Sequence, residues 1–161
     1  MSHPKGPVAV VFGSNSPRAG ERDYEDARTL GRTLAQAGHV VATGGYVIGV
    51  TTSVFDGVRL SPNAYLDEEI KFPTLFQRLH YLVTMADTWI ALPGGIGTLS
   101  EVALTWSLLQ VGEVRRQPFI LVGELWRRTI GEFSTDYYIA PKNRELLKYA
   151  DTIQEVLALL K

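Results

Sequence analysis

The sequence predicts an α/β domain, a Rossmann-like doubly wound and mostly parallel sheet with helices on both faces. Two observations carry this. Short apolar runs rich in Val and Ile alternate with longer segments whose apolar residues recur at helical spacing. Glycine-rich turns follow the strand candidates, at the end of the sheet where such folds bind ligands.

Taken in order, Pro7–Phe12 reads as a strand buried on both faces, because its apolar run is continuous. It ends in Gly13-Ser14-Asn15-Ser16, turn formers that an ordinary strand-to-helix connection explains by itself. From Tyr24 to Ala37, apolar or small residues at Tyr24, Ala27, Leu30, Leu34 and Ala37 share one helical face, with Gly38 placed to end the helix. His39–Thr43 is a second strand that stops at Gly44-Gly45, and His39 at its start has a structural role.

Tyr46–Thr51 then reads as another strand directly after those glycines. Parallel neighbours need a crossover of about a dozen residues or more, and a turn this short allows only a hairpin. Two explanations fit: loss of a helix from the fold, or residues missing from the chain between Gly45 and Val47. The second is favoured, because losing a helix would uncover the sheet.

Asp56–Phe72 reads as an outer loop whose acidic run, Asp67-Glu68-Glu69, is a solvated face. Leu75, Leu79, Leu82 and Val83 form a helical stripe that leaves Arg78 and His80 off it, with His80 a surface or packing histidine. Thr88–Ala91 is a buried strand end, and Val102–Leu109 belongs to a helix that is apolar nearly all round. One side carries Leu99, Val102, Ala103, Trp106 and Leu109, while Leu104, Leu108 and Val111 lie on others. Such a helix is buried on more than one face, and its spare face packs most simply on a second copy, so a homodimer or higher homo-oligomer is expected. Trp106 belongs to the core or to that interface. Gln117–Gly123 is the last clear strand, Leu125–Ile130 begins a helix, Pro141 breaks the chain, and Ala150–Leu160 closes it as a short helix.

Composition narrows the function classes. The 161 residues form one domain, 1–161, with ample apolar content for a core. A net charge of −1 gives no electrostatic grip on nucleic acid or an acidic membrane. Without cysteine there is no disulfide or thiolate chemistry, and no metal-ligand spacing occurs. Met1–Pro7 is polar and Pro-rich, unlike a signal peptide, and no apolar run reaches the ~20 residues that span a bilayer. A soluble cytoplasmic protein is expected, with no metal and no cofactor.

The chemistry concentrates in Leu92-Pro93-Gly94-Gly95-Ile96-Gly97-Thr98-Leu99-Ser100-Glu101. A strand, a glycine-rich turn and a helix start present backbone N–H groups to an anion. The spacing is neither the dinucleotide fingerprint nor the Walker motif. Local physics leaves a second reading of Thr98-x-x-Glu101 open: a capping box in which Thr98 caps the helix and Glu101 reaches back to its amide.

Pro93-Gly94-Gly95-x-Gly97-Thr98-x-x-Glu101 also resembles the PGGxGTxxE signature of the Lonely Guy family, older label "lysine decarboxylase-like". The match is long and specific. The resemblance extends to Arg78, which falls on the arginine of an MxxRKxxM-like helix at a matching offset before the turn. Its lysine position is occupied by Leu79 and its methionine positions by Leu75 and Leu82.

The resemblance implies hydrolysis of the N-glycosidic bond of a nucleoside 5′-monophosphate, releasing free base and ribose 5-phosphate. Gly94, Gly95, Gly97 and Thr98 would hold the phosphate, with Gly13, Ser14, Gly44 and Gly45 as further nucleotide contacts. Glu101 and Arg78 are the implied catalytic pair, and family members pair across the helix after the turn. The alternative is a nucleotide-binding or sensing module of the same fold that does not cleave its ligand. A pyridoxal phosphate-dependent decarboxylase fits least, because no lysine lies in or beside the glycine-rich turns.

Overall fold

The computed structural model describes residues 6–14, 16–41, 48–55 and 67–160. Its elements are β1 (Val8–Phe12), α1 (Arg22–Gln36), β2 (Val40–Val41), β3 (Ile48–Thr52), a short 3₁₀ turn, β4 (Glu68–Phe72), α2 (Leu75–Met85), β5 (Thr88–Ala91), α3 (Ile96–Val111), β6 (Phe119–Val122), α4 (Glu124–Phe133), α5 (Pro141–Arg144), β7 (Lys148–Ala150) and α6 (Ile153–Leu159).

Five strands form a parallel sheet in the order β2-β1-β5-β6-β7. Alternate residues of each strand feed opposite layers, as period-two geometry requires. Val10, Phe12, Trp89, Ala91, Phe119 and Leu121 enter a core shared with α2, α3 and α4. Ala9, Ile90, Ile120 and Val122 enter a second core with α1 and α6. Both faces are covered, which explains the unbroken apolar runs and gives the doubly wound fold the sequence predicts. From β1 the chain winds outward to β2 and later returns to β5 on β1's other side. The carboxyl ends of β1 and β5 therefore meet at the topological switch point, with Phe12 registered against Ala91.

Four expectations need correction. The segment 56–72 is not all outer loop, because Glu68–Phe72 is a strand. Its charged residues point outward while Ile70 and Phe72 turn partly inward, so the acidic run masks a one-sided strand. β4 pairs in parallel with β3, and this two-stranded sheet is separate from the main one among the described residues. β3 is thus no neighbour of β2, and no crossover between them is required. The junction proposed to lack residues, with Gly44 and Gly45, lies outside the described residues. Third, Gln117–Gly123 is not the last strand: Lys148–Ala150 extends the sheet edge, too short to announce itself by periodicity. Last, α3 buries Val102, Trp106 and Leu109 but leaves Leu99 and Ala103 exposed.

Other details follow the local chemistry. Gly38 sits at φ +85 just past α1, a left-handed stop that glycine takes without strain. Thr74 caps α2 by accepting the Gln77 N–H at 3.2 Å. No described helix is long and apolar enough to cross a membrane.

Ile90 is fully buried in the central strand. Ile90→Ala is expected to cost about 2–5 kcal/mol in denaturant unfolding. Tyr137→Ala, at an 87% exposed position, is expected to stay within about 0.5 kcal/mol of wild type.

Candidate functional site

The site is built where β5 ends. Leu92 continues the ladder by donating its N–H to the Phe12 carbonyl at 2.9 Å, and Pro93 then ends strand pairing. α3 starts at Ile96 with Gly95 at the N-cap, and Gly95 supplies no capping side chain. The first helical bond runs from Leu99 N–H to Gly95 O at 2.9 Å. The preceding amides, including Gly97 and Thr98, therefore have no partner within the helix. Aligned peptide dipoles add partial positive charge at this end.

This start decides between the two readings of Thr98 and Glu101. Both lie inside α3, not at its cap, so they do not form a capping box. Thr98 is buried beneath the turn. A Cβ on Gly94 would lie 2.6 Å from Thr98 Cβ and 3.0 Å from Thr98 Cγ2. Gly94 is glycine so that the turn can rest on Thr98. Gly95 and Gly97 are exposed, and a Cβ on either would meet nothing within 4 Å. Neither has positive φ. Intramolecular contacts thus explain Gly94 but not Gly95 or Gly97. Those two leave bare backbone facing solvent, as close approach by a ligand requires.

Glu101 is buried one helical turn beyond Thr98 and pairs with Arg78, Oε1 to Nη1 at 3.1 Å. Arg78 Nε also donates to the Val50 carbonyl at 2.8 Å. The guanidinium is fixed between α2, β3 and α3. Removing either partner would leave the other charge partly desolvated.

Gly13 and Ser14 occupy the carboxyl end of β1, and the Ser14 hydroxyl accepts the Ser16 N–H at 3.1 Å. With Leu92, Pro93 and Asp23 they line a hollow of about 140 Å³. Ala27 of α1 closes it. α1 covers the opposite face of the sheet from α2 and α3. The glycine turn therefore separates two groups: Gly13, Ser14 and Asp23 on one side, Arg78 and Glu101 on the other.

The sequence reading did not select Asp23, the Val50 carbonyl or Trp126. A backbone carbonyl carries no sequence signal, and Asp23 sits in a polar first turn of α1 like its neighbours. Trp126 was legible in principle, since a buried tryptophan needs a partner for its N–H. It donates to the Leu92 carbonyl at 3.0 Å. No group of three or more potential metal ligands occurs among the described residues.

A family model described as possible lysine decarboxylase matches residues 33–160. A cytokinin riboside 5′-monophosphate phosphoribohydrolase of Rhodococcoides fascians is 29% identical over 146 residues, covering 86% of this chain and 71% of that protein. The protein of the same name from Mycobacterium tuberculosis is 27% identical over 122 residues, 72% of this chain. This chain spans 64%, just under two thirds, of that relative's length. Among solved structures, the molybdenum cofactor binding protein of Rippkaea orientalis has a TM-score of 0.69 at 22% identity, with 96% of this chain and 95% of that one covered. At that identity the likeness shows a shared fold.

Two glycines are expected to respond oppositely to alanine. Gly94→Ala collides with Thr98 and is expected to destabilise by about 1–3 kcal/mol. Gly97→Ala meets only open space inside a helix and is expected to be neutral or to stabilise by up to about 1 kcal/mol. Thermal unfolding of the two variants checks this.

Proposed function

The chain belongs to the Lonely Guy family, whose model is described as possible lysine decarboxylase, and on that premise we propose that it is a phosphoribohydrolase acting on a nucleoside 5′-monophosphate such as AMP or an N6-modified AMP. The observation that carries this reading is the fixed Arg78–Glu101 pair beside a helix start whose exposed glycines serve no intramolecular packing. Relatives named as phosphoribohydrolases support the same chemistry.

In this reading the 5′-phosphate rests on the amides of Gly95, Gly97 and Thr98, where the helix dipole and unpaired N–H groups favour an anion. Thr98 contributes its amide, because its side chain is buried against Gly94. The ribose lies on the α2 side of the turn, toward Glu101. The C1′–N bond breaks as charge builds on the ring, and water adds at C1′. The carboxylate stabilises the cationic sugar or takes the proton from the attacking water. Arg78 orients the nucleotide and offsets the charge that develops on the departing base, which leaves with one proton. Gly13 and Ser14 border the ligand from the α1 side. A copy of the chain covers the exposed apolar face of α3, where Ile96 and Val111 are 80% and 68% exposed.

A second reading is binding without cleavage. Leu79 stands where the family motif carries lysine, which removes one cation beside the ligand.

Purified protein is expected to release adenine from AMP, followed by chromatography. Glu101→Gln, which keeps an acceptor for Arg78, is expected to slow release by roughly 10²-fold or more while AMP still binds. Gly97→Ala is expected to weaken AMP binding in calorimetry without lowering the unfolding midpoint. Binding by wild type with no base release from AMP or its N6-modified forms would establish the second reading instead.

A further inference from the structure

We propose that Trp126 is the positioning residue of the glycine-rich turn: by holding the Leu92 carbonyl, its indole N–H sets the direction in which the turn leaves the sheet, and so its affinity for a phosphorylated ligand. The proposal rests on the reading that this turn binds the phosphoryl group.

The geometry is specific to the Leu92–Pro93 peptide. Leu92 is buried with both backbone polar groups engaged, its N–H on β1 and its carbonyl on Trp126. The carbonyl shares a plane with the nitrogen of Pro93, so fixing the oxygen fixes that plane. The pyrrolidine ring then fixes Pro93 φ. The first freely rotating angle beyond Trp126's hydrogen bond is Pro93 ψ, immediately before Gly94. One indole N–H therefore removes the slack that two flexible glycines would otherwise inherit.

Trp126 can do this because α4 is held independently. Gly123, at φ +94, turns the chain from β6 into α4, and its N–H bonds the Ala150 carbonyl at 2.9 Å. A Cβ on Gly123 would lie 3.6 Å from Pro93 Cγ, so α4 begins against the turn itself. Arg127 adds an ion pair to Asp151 at 2.9 Å. Trp126 is 2% exposed and lies in the same core as Trp89 and Trp106. Those two donate to the Val83 and Asn143 carbonyls, outside the turn, and serve as internal controls.

The test uses the full chain with AMP as the probe. Trp126→Phe keeps an aromatic ring but removes the donor. It is expected to weaken AMP binding roughly tenfold or more in calorimetry, at a temperature where both proteins are fully folded. Its Gly94, Gly95 and Gly97 amide resonances are expected to shift before any ligand is added. Trp126→His, which restores a ring N–H, is expected to recover part of the affinity. In wild type, the Trp126 indole resonance is expected to move on AMP addition while those of Trp89 and Trp106 stay in place; this holds even if the variants fail to fold. Wild-type affinity in Trp126→Phe, or an unmoved Trp126 resonance in AMP-saturated wild type, overturns the proposal alone. A wild type that binds no AMP overturns the reading of the turn and the proposal with it.

Discussion

A close approach between Gly94 and Thr98 underlies the candidate site. Thr98 is buried in the first turn of α3, and the backbone at Gly94 lies directly over it. Any side chain at Gly94 would lift the turn off the helix. Because the turn is seated from below, the exposed backbone at Gly95 and Gly97 faces outward from a rigid base. The free amides of α3 thus become a defined surface rather than a frayed helix end. The switch point between β1 and β5 brings the Gly13–Ser14 loop to the same end of the sheet.

The Arg78–Glu101 pair performs a second joining task. Arg78 links three elements, since α2 carries it, β3 supplies the Val50 carbonyl and α3 supplies the carboxylate. β3 and β4 have no ladder to the main sheet among the described residues, so this guanidinium joins the apolar contacts of Ile48, Val50, Ile70 and Phe72 in tying them to the core. A partly buried ion pair gains little net stability over a well-packed apolar pair. What the pair does provide is a fixed geometry, because each partner holds the other in place beside the turn.

Much of this was legible in the residues. Continuous apolar runs marked β1, β5 and β6 because strands covered on both faces need no polar alternation. The spacing of glycines, threonine and glutamate marked the turn, and the family resemblance, not the local pattern, singled out Arg78. The two missed strands share a cause: tertiary pairing overrode a local signal. Glu68–Phe72 is mostly charged, yet β3 pairs with it along its length and Ile70 and Phe72 pack on the core. Lys148–Ala150 is recruited by β6. The capping box, the reading of Thr98-x-x-Glu101 left open beside the functional one, fails for a local reason: α3 starts earlier because Gly95 already takes the extended N-cap conformation.

By itself the sequence determined the fold class, the family and the identity of the turn, because these depend on periodicity and on residue types at fixed spacing along one chain. Only the tertiary structure decided which glycine is steric and which faces outward, since that depends on what lies above each Cα. It alone paired Arg78 with Glu101 and Val50, placed Asp23 and the hollow across the sheet from them, and hung the turn from Trp126. Each of those contacts joins residues distant in sequence, and two end on backbone carbonyls, which every residue type possesses and no sequence pattern can single out.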